Sequence, residues 1–221
     1  MNYQIDAPGS AIRTTVKLPA SKSISNRALI LNALSYSAYD VENLSDCDDT
    51  NLMVKALNSN DRDFNVGAAG TTMRFLTAFL SKVVGEWTIT GTERMKNRPI
   101  KVLVDALNAL GARIEYMEKE GYPPLRIFGS ALQGGEISLP GNVSSQYISA
   151  ILMIAPLTEN GVTLHLEGAI ISRPYIHITL QLMEQYGVRA SWTENTIKVL
   201  PQEYKPIRFT VESDWSAASY W

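Results

Sequence analysis

The chain has one cysteine, Cys47, and two histidines, His165 and His177, in 221 residues. A single cysteine excludes an internal disulfide, so nothing calls for an oxidising compartment and the cytoplasm is the expected location. His165 alternates with apolar residues in a strand-like run, and His177 falls early in a helical one. Neither has a second histidine, cysteine or carboxylate at ligand spacing, so no metal is expected. Cys47 stands between Asp46 and Asp48, neighbours that disfavour a thiolate, and an inert thiol is the expectation. Neither charge is in large excess: 20 Lys+Arg against 22 Asp+Glu give a formal net charge of -2. That balance excludes a global attraction to nucleic acid or to an anionic membrane, so any anion binding has to be local. No uncharged run approaches the length that spans a bilayer, and the opening MNYQIDAPGS reads without the basic and apolar regions of an export signal. What the chain does have is 45% hydrophobic residues, ample for a core at this size.

Alternating β-branched residues predict strands near 12–18, 86–91, 161–167 and 206–211. Apolar residues at i, i+3, i+4 spacing predict helices near 22–35, 71–82, 99–110, 144–155 and 174–186, with another near 48–58. Two of these end alike. Ala106, Leu107 and Leu110 precede Gly111, while Leu182, Met183 and Tyr186 precede Gly187, as expected where glycine takes the left-handed backbone after a helix. Each leads into a strand pair, 112–118 with 125–129 and 188–193 with 196–200, the second turning at Glu194-Asn195. Residues 64–129 and 136–200 therefore read as one unit, strand-helix-strand-helix-strand-strand, repeated at a period of about 70 residues. A first copy over 12–60 is shortened, its last strand pair missing or reduced before NSNDRD. FTVESDWSAASYW reads as a further strand and the start of a helix capped by Asp214 or Ser213.

Three stretches run from a strand through a turn into a helix with hydroxylated first residues: TVKLPASKSISNRALIL, FNVGAAGTTMRFLTAFL and ISLPGNVSSQYISAILM. Leu18-Pro19 and Ser23 match Leu139-Pro140 and Ser144 at one offset, and Thr71 and Thr72 fall in register with Ser144 and Ser145. A helix start leaves unpaired N–H groups at the positive end of its dipole, which together seat anions. Lys22 and Arg27 stand near such a start, where cations oppose the dipole unless an anion joins them. Gly70 permits close backbone approach to a ligand, and serves equally as a tight turn. Arg94, Lys96 and Arg98 cluster before Pro99, a run that by itself reads as a solvated face. Three anion seats in one domain point to a substrate carrying several negative charges.

SKSISNRALIL, GAAGTTMR, RMKNRPI, GNVSSQY and SRPYIHITLQLM, in that order, closely resemble the 5-enolpyruvylshikimate-3-phosphate synthase family. The likeness covers nearly all of this chain and about the first half of the family's usual length. It implies an α/β fold of strand-helix-strand-helix-strand-strand units about a pseudo-threefold axis, with buried helices and outer sheets and a shortened first unit. On this reading 12–205 is the N-terminal domain, and 1–11 and 206–221 belong to or lead into a second domain. The implied reaction transfers enolpyruvyl from phosphoenolpyruvate to the 5-hydroxyl of shikimate 3-phosphate, by addition and then elimination of phosphate. No metal or organic cofactor is implied, no nucleic acid and no membrane, and the full-length protein is expected to be a monomer.

Position by position, the resemblance makes Lys22 an electrostatic catalytic contact to both substrates, and Ser23 and Arg27 ligands of shikimate 3-phosphate. Gly70 and Arg98 would hold phosphoenolpyruvate. Ser144, Ser145 and Ser172 would bind the shikimate phosphate, Gln146 would bridge the two ligands, and Tyr175 would line the shikimate pocket. Two residues depart from the family pattern: Ala68 replaces an asparagine near the phosphoenolpyruvate pocket, and Phe75 replaces the proline after the Met-Arg pair. The remaining catalytic groups would come from the other domain, so this chain is expected to bind without turnover. Two alternatives stay open: the related transferase acting on UDP-N-acetylglucosamine, although its Lys-Asn opening and loop cysteine are not found here, and a non-catalytic phosphosugar-binding module.

Overall fold

The structure, a computed structural model, describes Gln4, Gly9, Ala11 and residues 13–221. Its first unit comprises α1 (Lys22–Leu34), β1 (Val41–Glu42) and α2 (Asp48–Leu57). The second comprises β2 (Asp63–Asn65), α3 (Gly70–Lys82), β3 (Gly85–Thr90), a single turn α4 (Glu93–Lys96), α5 (Lys101–Ala109), β4 (Arg113–Tyr116) and β5 (Leu125–Gly129). The third comprises β6 (Gly135–Pro140), α6 (Ser145–Ile154) with a 3₁₀ turn at Ala155–Leu157, β7 (Val162–Glu167), α7 (Arg173–Gln185), β8 (Ala190–Thr193) and β9 (Thr196–Val199). β10 (Phe209–Thr210) and α8 (Trp215–Ala218) follow.

The repeat read from the sequence occurs twice in full. The two four-stranded sheets have the same order, β2-β3-β5-β4 and β6-β7-β9-β8. In each, the first pair is parallel and the others antiparallel. Gly111 (φ +99°) and Gly187 (φ +87°) end α5 and α7 in the left-handed region that favours glycine. Along β7 the residues Val162, Leu164 and Leu166 are buried and alternate with half-exposed ones, as in a sheet with one face against helices.

Those helices form a ring around a central trio. α1, α3 and α6 touch one another, while the neighbouring contacts α1 with α2, α2 with α3, α3 with α5, α5 with α6, α6 with α7 and α7 with α1 close the circle. The trio is buried almost all round: in α6 every residue but Gln146, and in α3 Gly70 to Ala78 with Leu80 and Ser81. A helix without a polar face belongs at the centre of a layered fold. Two of its buried hydroxyls are answered within their own helix, Thr77 donating to the Met73 carbonyl and Ser81 to that of Ala78. No helix among the described residues is long and apolar enough to cross a membrane.

The first unit departs from the other two. Only Asn58–Arg62 separate α2 from β2, and β1 pairs in parallel with β10, Val41 opposite Phe209 and Glu42 opposite Thr210. Val211 packs with Ala28 and Val41 beneath this short ribbon. The strand expected at 12–18 does not form. Residues 13–17 are exposed and have no sheet partner among the described residues, and Ile12 lies outside them. β-branched composition alone does not hold a strand that has neither a neighbour nor a face to bury. The strand expected at 206–211 is reduced to Phe209–Thr210, the two residues that find a partner. Beyond it, the Asp214 carboxylate caps α8, accepting from the Ser216 and Ala217 N–H groups at 2.8 and 3.2 Å. Of the expected leading segment 1–11, only Gln4, Gly9 and Ala11 are described.

Candidate functional site

The three central helices begin beside one another, and none has an acidic residue in its first turn. Ser21 caps α1, its Oγ 3.5 Å from the Ile24 N–H, and Ser144 caps α6, accepting from the Gln146 N–H at 3.3 Å. The caps are thus Ser21 and Ser144, so the sequence register that aligned Ser23 with Ser144 is two residues out at the helix start. α3 has Ala69 at its cap position, with no side-chain oxygen to offer. Its cap is supplied by α2 instead: the Asp49 carboxylate accepts from the Thr71 N–H at 2.8 Å, and the Asp49 carbonyl accepts from Thr72 Oγ1 at 2.6 Å. The other carboxylate oxygen of Asp49 meets Lys22 Nζ at 2.7 Å. One acidic side chain therefore ties the starts of α1, α2 and α3 together.

Two adjoining clefts open over these helix starts. The first, about 260 Å³, is lined by Lys22, Asp49, Ala68, Gly70, Thr71, Arg94, Met95, Arg98 and Gln146. The second, about 200 Å³, is lined by Lys22, Ser23, Arg27, Thr71, Ser144, Ser145, Gln146 and Tyr175. Lys22, Thr71 and Gln146 belong to both, and Gln146 Nε2 donates to Thr71 Oγ1 at 3.1 Å across the boundary. Among the described residues Arg94 and Arg98 have no acidic partner, so the first cleft presents uncompensated positive charge on a chain of net charge -2.

Gly70 makes this crowding of cations possible. A Cβ at that position would stand 2.4 Å from Arg98 Nη1 and 2.9 Å from Arg74 Nη1. Arg74 lies behind, buried, donating to the Gly70 carbonyl at 2.9 Å. Burial pulls its guanidinium below the ordinary arginine range and nearby Arg98 adds to that, while Tyr147 opposes it. The Arg98 loop is pinned from α6, where the Tyr147 hydroxyl donates to the Pro99 carbonyl at 2.7 Å. Tyr147→Phe removes that bond and is expected to lower stability by about 1 kcal/mol, a difference readable in urea denaturation.

Arg27 crosses the second cleft from beneath. It is 2% exposed, and its guanidinium is bonded to Thr179, Ser149 and two carbonyls. Burial lowers it from the ordinary 12.5 to about 10, with the neighbouring Tyr175 acting in the other direction. It remains a cation at neutral pH. Phe75, the residue that departs from the family pattern, is fully buried, with its ring centroid 5.3 Å from Arg27 Cζ, a cation–π distance. Ala68 lines the first cleft with a methyl group, so no side-chain donor comes from that position.

Nine of the ten expected site residues line one cleft or the other. The exception is Ser172, at the cap position of α7 without a side-chain bond, outside the lining of both. Within the basic run 94–98, Arg94 and Arg98 face the first cleft, whereas Lys96 turns to Glu118 at 3.0 Å. Sequence reasoning missed Asp49, because an aspartate in a first helical turn is an ordinary helix starter and Asp48 beside it carries the same signal. Cys47 needs correction. Partial burial raises its pKa, but hydrogen bonds from Thr50 and Ser45 and the charge of Lys22 outweigh this, and the thiol lies below its usual range. Among the described residues no group of three or more His, Cys, Asp or Glu could hold a metal.

The family model for EPSP synthase (3-phosphoshikimate 1-carboxyvinyltransferase) matches residues 7–61 and 57–221. The two segments meet between α2 and β2, where the first unit is short. A 3-phosphoshikimate 1-carboxyvinyltransferase of Bacteroides fragilis is 61% identical over 222 residues, covering 100% of this chain and 54% of the relative. One from Vibrio campbellii is 43% identical over 242 residues, covering 96% of this chain and 57% of the relative. The chain thus spans about half the length of the curated relatives it matches. The solved EPSP synthase from Acinetobacter baumannii superposes with a TM-score of 0.82 at 21% identity, over 93% of this chain and 51% of that one, which shows the shared fold. By repeat, helix starts and family match together, this chain belongs to the EPSP synthase family.

Proposed function

We propose that this chain is the N-terminal, substrate-gathering portion of a 3-phosphoshikimate 1-carboxyvinyltransferase. The first cleft takes phosphoenolpyruvate, with Arg98 offering a planar fork to its carboxylate or phosphate and Gly70 keeping that fork close to the start of α3. The second takes shikimate 3-phosphate, its phosphate on Ser144 and Ser145 at the start of α6 and its ring against Tyr175, Ser23 and Arg27. Ser172 lies one turn before Tyr175 and joins this set if α7 shifts toward the ligand. The observation that carries the reading is the sharing of Lys22, Thr71 and Gln146 by both clefts, which brings two anions side by side.

In the reaction, the 5-hydroxyl of shikimate 3-phosphate adds to C2 of phosphoenolpyruvate while C3 takes up a proton. The tetrahedral ketal then loses that proton equivalent and phosphate, leaving the enolpyruvyl ether. Fixed cations such as Lys22 and Arg98 stabilise the charge that builds on the ketal without reorganising. The proton transfers belong to groups in the remaining half of the full-length enzyme, which acts as a cytoplasmic monomer. Residues 12–205 form its N-terminal domain, and 206–221 lead toward the second.

Calorimetric titration tests the reading. Shikimate 3-phosphate is expected to bind the chain, while a phosphate-release assay with both substrates stays at background. Absence of shikimate 3-phosphate binding would overturn the assignment of the second cleft, and phosphate release by the isolated chain would overturn its role as a binding half.

A further inference from the structure

Arg27 is a buried cation without an acid. Among the described residues no carboxylate pairs with it, and four of its five N–H groups are committed to neutral oxygens. Nε donates to Thr179 Oγ1 at 2.7 Å, Nη1 to the Ser23 carbonyl at 2.8 Å, and Nη2 to Ser149 Oγ at 3.0 Å and the Tyr175 carbonyl at 3.5 Å. Thr179 and Ser149 are both 0% exposed and 2.7 Å apart. The Thr179 hydroxyl proton goes to the Tyr175 carbonyl at 3.0 Å, so Ser149 donates to Thr179 and each hydroxyl oxygen accepts from the guanidinium. Among the described residues every polar group in the cluster is satisfied except one N–H on Nη1.

We propose that the Thr179 and Ser149 hydroxyls are positioning residues for ligand binding. They fix the plane of the Arg27 guanidinium so that its one remaining N–H meets the ligand in the second cleft; this rests on the reading that shikimate 3-phosphate binds there. Using hydroxyls for this task has a chemical reason. A carboxylate would orient the guanidinium equally well but would neutralise it and compete with an anionic ligand, whereas hydroxyls orient the charge and leave it available. Thr179 on α7 and Ser149 on α6 grip two different nitrogens, so the guanidinium cannot swing about its long side chain, and the ordering cost of binding is met in advance.

The test compares Thr179→Val, which keeps the side-chain shape, with Thr179→Ser, which keeps the hydroxyl. By calorimetry, the valine variant is expected to bind shikimate 3-phosphate about tenfold more weakly, and the serine variant within about threefold of the unaltered protein. By ¹⁵N NMR, the Arg27 Nε–H is expected to be protected from solvent exchange in the unaltered protein and in Thr179→Ser, and to exchange rapidly in Thr179→Val. Equal affinity and equal protection in the two variants would overturn the proposal. Should the unaltered protein fail to bind shikimate 3-phosphate, the functional reading of the cleft falls, and the Nε–H exchange rates alone decide whether the hydroxyls hold the guanidinium. Should Thr179→Val fail to fold, Ser149→Ala takes both measurements, with protection of the Nη2 protons as its readout and unchanged exchange there as the contrary result.

Discussion

Lys22→Ala is expected to weaken the binding of both phosphoenolpyruvate and shikimate 3-phosphate by about a hundredfold. Among the described residues Lys22 is the only cationic one to line both clefts, and its ammonium stands 2.7 Å from the Asp49 carboxylate. Removing it does more than delete one attraction. The carboxylate remains, its side chain only 14% exposed, held by the Thr71 N–H at the start of α3. A site built for anions then presents an unpaired anion of its own, and because the lysine side chain is 44% exposed the cost falls toward the lower end of the about 2–5 kcal/mol lost when one partner of a buried charge pair is truncated. A rescue is expected in turn: adding Asp49→Asn to Lys22→Ala should recover about tenfold of the lost affinity, because it removes the repulsion while leaving a cap for α3. Calorimetry on the single and double variants checks both statements. Loss of one ligand's affinity alone would show that Lys22 serves one cleft, and a double variant no better than the single would show that Asp49 does not act through its charge.

The second large effect belongs to Gly70→Ala. The added methyl would lie 2.4 Å from Arg98 Nη1 and 2.9 Å from Nη2, distances that cannot persist. Arg74, also 2.9 Å away, is buried and bonded to the Gly70 carbonyl, so the exposed Arg98 fork is what moves. Phosphoenolpyruvate affinity is expected to fall about tenfold to a hundredfold, the size of one charge-assisted bidentate contact. Shikimate 3-phosphate affinity should stay within about threefold, since the second cleft has neither Gly70 nor Arg98 in its lining. Stability should change by about 1 kcal/mol or less, because the yielding group is the end of a flexible side chain and alanine is the better helix former. An equal fall in both affinities would point to a collapsed helix start instead of a displaced fork.

Much of this arrangement is legible in the residues. The glycines after two helices, the matching strand pairs and the hydroxylated helix starts are local signals, and each survives because the local preference and the global fold agree. The strand expected at 12–18 fails for the complementary reason: Thr14, Thr15 and Val16 have the right chemistry, but the sheet offers them no neighbour. β10 was legible only in part, since its extent is set by pairing with β1 more than 160 residues earlier in the chain. The site divides in the same way. Lys22, Gly70, Arg98 and Gln146 could be named from motif and resemblance, and they line one cleft. Asp49, Tyr147, Ser149 and Thr179 could not, because a capping aspartate and buried hydroxyl groups look like ordinary helix residues until the packing of α2, α6 and α7 brings them against the cations. Cys47 shows the limit of reasoning from the flanking charges: Asp46 and Asp48 stand beside it, yet partial burial, which raises its pKa, is outweighed by hydrogen bonds from Thr50 and Ser45 and the charge of Lys22.

The claim beneath all of this is that the starts of α1, α3 and α6 act as one anion site. Backbone amide chemical shifts measured while shikimate 3-phosphate is titrated into the chain test it most directly. The account predicts that the amides of Ser23, Thr71 and Gln146 shift together along a single saturation curve, with one dissociation constant for all three helices. Shifts confined to one helix start, or three curves with different midpoints, would contradict it.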